Sequence, residues 1–286
     1  MRELRSVDEV RSACADDSLI MWAAQGLKPG VRAWAFGDAV AVASPALFRR
    51  DRILVFGNPE KAAALVRHAL AECGPTYRVV GDEPLVRAVA ERLPEFGAVA
   101  AFDWMDTDRP IPPAAPPHTA TPAAPDGEPG AAADPKAAAG EAAEAGEVNG
   151  RRPAEGVTVR WLDPAEDPQV AELLKAASPS SWAWPGLPGV RRWAGAWQGG
   201  ELVAVAADAW SAPTVGLIAG VATAPAHRGR RLAEAVCRFV ATDLLAAHGR
   251  VALMVDADNR PAIRVYHRLG LVRRGIAAAR LGDQPL

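Results

Sequence analysis

Val221-Ala222-Thr223-Ala224-Pro225-Ala226-His227-Arg228-Gly229-Arg230-Arg231-Leu232-Ala233 runs an apolar stretch into a small-residue turn and then directly into the start of a long helical pattern. A helix start carries backbone N–H groups without intrahelical partners and the positive end of the helix dipole. An anion, and a phosphate in particular, can rest there when nothing bulky blocks the approach. Gly229 removes a Cβ at that point, and Arg228, Arg230 and Arg231 add positive potential. An ordinary strand-to-helix turn with surface arginines is the competing reading of these residues taken alone.

A second constellation follows. Val251–Val255 reads as a strand, and Asn259-Arg260-Pro261-Ala262-Ile263-Arg264-Val265-Tyr266-His267-Arg268-Leu269-Gly270-Leu271 as a helix capped by Asn259, with Pro261 in its first turn. Ala262 and Tyr266 stand four apart and share one helix face. A small residue below a tyrosine leaves room for a thin ligand and lets the phenol reach it. A core tyrosine satisfied by a backbone partner is the competing reading of Tyr266.

Together these stretches resemble the GNAT superfamily of N-acetyltransferases. The family's pyrophosphate signature, R/Q-x-x-G-x-G/A after a strand and at a helix start, is filled by Arg228-Gly229-Arg230-Arg231-Leu232-Ala233, with Arg231 standing where the family usually has glycine. Its second pattern, N-x-x-A-x-x-x-Y-x-x-x-G-F/L, is matched by Asn259, Ala262, Tyr266, Gly270 and Leu271. The resemblance covers about 157–281. It implies an α+β fold with a mixed, mostly antiparallel sheet flanked by helices, whose central strands splay apart. It also implies acetyl-CoA, or another acyl-CoA, as co-substrate, with the pantetheine arm along Val221, Ala222 and Thr223 and the pyrophosphate on the backbone of 228–233. Tyr266 would protonate the leaving thiolate, and Asn259 and Ala262 would help place the pantetheine. The activity implied is acyl transfer, acetyl first, to a small-molecule or protein amine in a direct ternary complex. The alternative is a non-catalytic acyl-CoA-binding regulatory or scaffold protein.

The same grammar extends over the rest of the chain. In the second half, strands are expected at 157–161, 192–198, 202–209, 214–223, 251–256 and 272–281, and helices at 164–177, 230–248 and 260–269. In the first half, 7–14 reads as a helix, and 32–44 as two strands about a turn at Gly37-Asp38. A strand at 52–56 precedes a helix opened by Asn58 and Pro59 and stopped by Gly74-Pro75. A strand at 77–80, a helix from Asp82 to Leu93 and a strand at 98–104 complete it. The order strand, helix, strand, helix, strand thus occurs twice, at 52–104 and 214–281. The first occurrence lacks the R-x-x-G-x-G/A frame and any tyrosine in its second helix, so 1–108 is expected to be a degenerate GNAT-like domain in tandem with an acetyltransferase domain at 154–286. It would keep no cofactor and would wall the acceptor site. Between them, 110–150 holds nine prolines, fourteen alanines and no Leu, Met, Phe, Tyr or Trp. This composition buries too little apolar surface to offset its ordering entropy, so 109–153 is expected to be a disordered linker with at most a short helix at 135–145.

Composition narrows the function classes. No run of about 18 apolar residues is present, and the charged start MRELRSVDEVRS lacks an apolar segment, so the expectation is a cytoplasmic protein without a membrane role. Cys14, Cys73 and Cys237 are far apart and odd in number, which argues against a disulfide framework or a metal site. Residues 151–286 carry 17 Lys/Arg against 12 Asp/Glu, which suits a polyanionic ligand. No basic stripe is interleaved with aromatics, so a nucleic-acid partner is not expected. The general base stays open: Asp208 is a candidate against a surface role, while His227, His248 and His267 read as solvent-facing, capping and misdirected. Trp182 and Trp184 lie where the family has an acceptor loop, and serve either that loop or the core.

Overall fold

The computed structural model of the chain describes residues 1–113 and 156–282; the linker reading for 109–153, with its helix at 135–145, lies outside the described residues except for 109–113. The first half contains β1 (Arg2–Leu4), α1 (Val7–Ala13), α2 (Ser18–Ala24), β2 (Arg32–Phe36), β3 (Ala39–Leu47), β4 (Arg50–Phe56), α3 (Pro59–Cys73), β5 (Arg78–Asp82), α4 (Glu83–Arg92) and β6 (Phe96–Thr107). The second contains β7 (Val157–Trp161), α5 (Asp167–Ala177), β8 (Val190–Gln198), β9 (Glu201–Ala209), β10 (Gly216–Thr223), α6 (Leu232–His248), β11 (Val251–Val255), α7 (Arg260–Arg268) and β12 (Val272–Leu281). Local chemistry sets most boundaries. Ser6 and Glu9 form a capping box at α1, Asn58 accepts from the N–H groups of Glu60 and Lys61 at α3, and Gly249 in the left-handed region ends α6.

All twelve strands join one sheet, in the order β1-β2-β3-β4-β5-β12-β6-β11-β10-β9-β8-β7. The expectation of two halves with a sheet each is therefore modified: the halves exchange their last strands. β12 of the second half lies between β5 and β6, and β6 of the first half lies between β12 and β11. β6 and β12 pair antiparallel along Val272↔Asp106 to Leu281↔Phe96, which relates the halves by an approximate two-fold. Among the described residues only β4–β5 and β10–β11 are parallel, and both pairings are short: Arg52↔Arg78 to Leu54↔Val80, and Gly216↔Val251 to Ile218↔Leu253.

The core follows this topology. On one face α1, α2 and α5 share a single apolar cluster with residues of both halves, Trp22, Trp104, Trp193 and Trp210 among them. The Trp22 indole N–H donates to the Trp210 carbonyl (2.8 Å) across the join, and the Trp104 indole N–H to Ser18 Oγ (2.9 Å) within the first half. On the other face there are two separate clusters, one under α3 and α4 and one under α6 and α7.

Candidate active site

Beyond Ile218 and Leu253 the pairing of β10 with β11 stops, while β10 stays bonded to β9 through Ala222↔Val205 and Thr223↔Ala204. A bulge between Ala219 and Ala222 bends β10 there, and Gly220 sits at φ +63° with the Trp193 ring where a Cβ would be. The β11-facing edge of 219–223 is thus left without a ladder partner. A cleft of about 500 Å³ lies in this opening. From the second half it is lined by Ile218, Val221, Met254, Asp256, Asn259 and Tyr266, and from the first by Phe48, Arg52, Arg78 and Phe102. Trp182 covers it, packed on Phe48 at 5.6 Å between ring centroids, with Arg49 and Arg50 against its ring.

At the exit of β10, Pro225–His227 makes one tight turn, Gly229 takes φ +76°, and α6 begins at Leu232 without a side-chain cap. No atom lies within 4 Å of the position a Gly229 Cβ would take. Among the described residues, no acceptor is found for the backbone N–H groups from Gly229 to Glu234. These groups fit a pyrophosphate: open approach, unpaired donors and a helix dipole meet at one place. The three arginines differ. Arg228 and Arg230 are exposed beside the turn. Arg231 adopts a left-handed conformation (φ 59°) and turns back to Glu234 (3.4 Å). The buried Glu234 also holds Arg238 and Arg268, so it is a structural anchor for the turn, and Arg231 is committed to it.

Asn259 Oδ1 accepts from the Ala262 N–H (3.2 Å), which fixes the start of α7 at the cleft rim. One turn on, the Tyr266 phenol is buried between α7 and α6. Burial, with the neighbouring Cys237 thiol, raises its pKa above the ordinary tyrosine range, so it carries its proton at any physiological pH. Asp256, at the end of β11, is the one carboxylate on the cleft wall among the described residues.

The equivalent place in the first half is closed. Asn58 uses its own side chain to satisfy the first N–H groups of α3, and Pro59 has none to offer. Gly57 is packed against the backbone of Asp38 and Ala39, with Lys61 paired to Asp38 (2.8 Å). A Cβ on Gly81 would lie 2.8 Å from the Val55 carbonyl oxygen, so β4 and β5 are in close contact just beyond the end of their short ladder.

The sequence reading thus gathers Val221, Asn259 and Tyr266 on the cleft, and places 228–233 at the junction beyond it. It does not gather the proposed bases. Asp208 accepts from Ser211 Oγ (2.6 Å), pairs with Arg192 (3.4 Å) and lies away from the cleft. His267 is exposed on α7, and His248 lies against the Pro213 carbonyl. Of the two loop tryptophans, Trp182 lines the cleft, while Trp184 folds back on Ser181. Sequence reasoning missed Phe48, Arg52, Arg78 and Asp256. Asp256 was findable as the residue closing the strand before Asn259, whereas the other three reach the cleft only through the strand exchange.

A strand splay beside an uncapped, glycine-opened helix start offers a place for an extended ligand that carries an anionic group. The sequence of residues 159–271 matches the model of the acetyltransferase (GNAT) family. Among solved structures the chain is similar to a GCN5-related N-acetyltransferase from Kribbella flavida, at 18% identity over 93% of this chain and 95% of that one, with a TM-score of 0.55. It is also similar to a GNAT-family acetyltransferase from Novosphingobium aromaticivorans, at 21% identity over 88% and 91%, with a TM-score of 0.48. The first likeness shows a common fold along nearly the whole chain, including the half that lacks the motif. No curated protein matches the sequence.

Proposed function

We propose that the protein is an N-acyltransferase that moves an acetyl or other short acyl group from acyl-CoA to a primary amine. The carrying observation is the continuity of one feature: the free edge of β10 leads from the cleft to the open turn at 228–233. The free edge of Val221–Thr223 hydrogen-bonds the pantetheine arm, and the turn holds the pyrophosphate. The amine nitrogen attacks the thioester carbonyl, its C–N bond forms, and the C–S bond breaks. Tyr266 gives its proton to the departing thiolate sulfur, and Asp256 takes the proton the amine loses. Tyr266 then regains a proton from solvent. Both groups stand on the cleft wall, the phenol neutral through burial. A purely acyl-CoA-binding role leaves this donor and carboxylate without a purpose and is not favoured.

The test is thiol release from acetyl-CoA with a panel of primary amines, paired with calorimetry of acetyl-CoA binding. Binding together with amine-dependent release is expected. Binding without release from any amine would reduce the protein to an acyl-CoA receptor, and no binding would remove the assignment.

A further inference from the structure

Arg52 is an arginine in an interior position. Only 6% of its surface is accessible, on a cleft whose wall it forms. Its Nε donates to the Leu47 carbonyl (3.0 Å), and its guanidinium lies 5.6 Å from the Phe48 ring centroid. Its two terminal nitrogens have no acceptor among the described residues, and no carboxylate there pairs with it. Arg78, its partner across β4 and β5, lines the same cleft. A buried guanidinium without a counter-charge is costly, and burial with the neighbouring Arg78 and Arg50 pushes its pKa down to about 10.

The trough between this arginine and the reacting end is shaped by alternation. Arg78, Ala278, Ala100, Phe102, Met254 and Asp256 lie along the cleft, with the small alanines in the middle. Opposite charges therefore mark its two ends: Asp256, on the wall that also carries Tyr266, and Arg52 with Arg78. In sheet order β4 lies four strands from β11, which at about 4.8 Å per strand is roughly 19 Å between backbones. The long arginine side chain shortens that span.

Resting on the acyltransfer reading, we infer that the acceptor is an elongated small molecule with its amine at one end and a carboxylate remote from it, the carboxylate held by Arg52. The planar guanidinium offers two parallel N–H donors that match a carboxylate. The apolar walls of Phe48, Phe102 and Trp182 take the connecting chain. An α-amino acid is too short to engage both ends.

The experiment uses the full chain with ω-amino alkanoates of increasing length and the alkylamines of equal length that lack the carboxylate. Thiol release and calorimetric binding are measured in parallel. In the wild type, kcat/KM is expected to rise with the separation of amine and carboxylate. Long amino acids should exceed their matched alkylamines by about 10²-fold, the usual weight of a buried charge-assisted pair. Arg52→Gln should erase that difference through KM while acetyl-CoA affinity stays unchanged. Arg52→Lys, which keeps the charge and favours folding, should retain part of it. Equal use of both series by the wild type overturns the inference, as does a folded Arg52 variant with unaltered discrimination. Tighter binding of ω-amino phosphonates than carboxylates overturns the choice of anion. Carboxylate binding by calorimetry without any turnover would leave the anion site standing and sink the acyltransfer reading instead.

Discussion

Removing the indole of Trp104 tests whether the exchanged strands make the chain one cooperative unit. Trp104 belongs to the first half, yet its strand pairs with Met254 of β11 and Arg274 of β12. It is fully buried, lies 5.5 Å from Trp22 between ring centroids, and donates to Ser18 Oγ. Trp104→Ala deletes a core aromatic, at about 3–5 kcal/mol. It also strips the buried Ser18 hydroxyl of its donor, at about 1 kcal/mol. Against a total stability of about 5–15 kcal/mol the loss is large but survivable. At about 2–4 °C per kcal/mol for a chain of this size, the melting temperature should fall by roughly 10–20 °C. Thermal melts followed by far-ultraviolet circular dichroism and by tryptophan fluorescence should show one transition, moved as a whole. A biphasic melt in which one phase keeps its wild-type midpoint would refute the reasoning, because it would show that the second half does not depend on β6.

Further outcomes follow from the site. Gly229→Glu places a side chain and a negative charge on the open turn, and calorimetry should show acetyl-CoA affinity at least about tenfold below that of Gly229→Ala, which carries the same backbone strain. Tyr266→Phe keeps the packing but loses the proton donor; kcat should drop by about 10²–10⁴ with acetyl-CoA binding intact, measured by thiol release. The buried Cys237 thiol is pushed up to about 12 by desolvation. Its proton is released at lower pH in the unfolded chain, so this contribution to stability is complete below about pH 9 and is lost as pH rises towards 12, by up to about 1.4 kcal/mol per pH unit. Urea titrations of Cys237→Ala across that window should show a flatter decline.

Much of this architecture is readable locally. Asn58-Pro59, Asn259 with Pro261, and Gly74-Pro75 marked helix ends because capping chemistry acts within a few residues. The alternation of 32–44 and the apolar run before Arg228 marked strands for the same reason. The short α2, apolar on every side and sealed in the shared core, carries no amphipathic signal and went unread. The exchange of β6 and β12 was illegible for a deeper reason. Both segments look like ordinary strands, and which neighbour each takes depends on pairing between residues far apart in sequence. The cationic end of the cleft was lost with it, since Arg52 is an unremarkable strand residue until β12 brings its sheet against β6.

The order of synthesis meets this topology with a delay. β5 is made at 78–82, but the strand that covers its open side is made at 272–281. Until then the first half presents an unpaired edge, the kind of edge that recruits foreign strands. β6 waits in the same way, since β12 and β11 flank it on both sides. The nascent chain therefore cannot close domain by domain. Its two halves complete each other in one late step, and a ribosome stalled anywhere between them leaves an aggregation-prone product rather than a finished first domain.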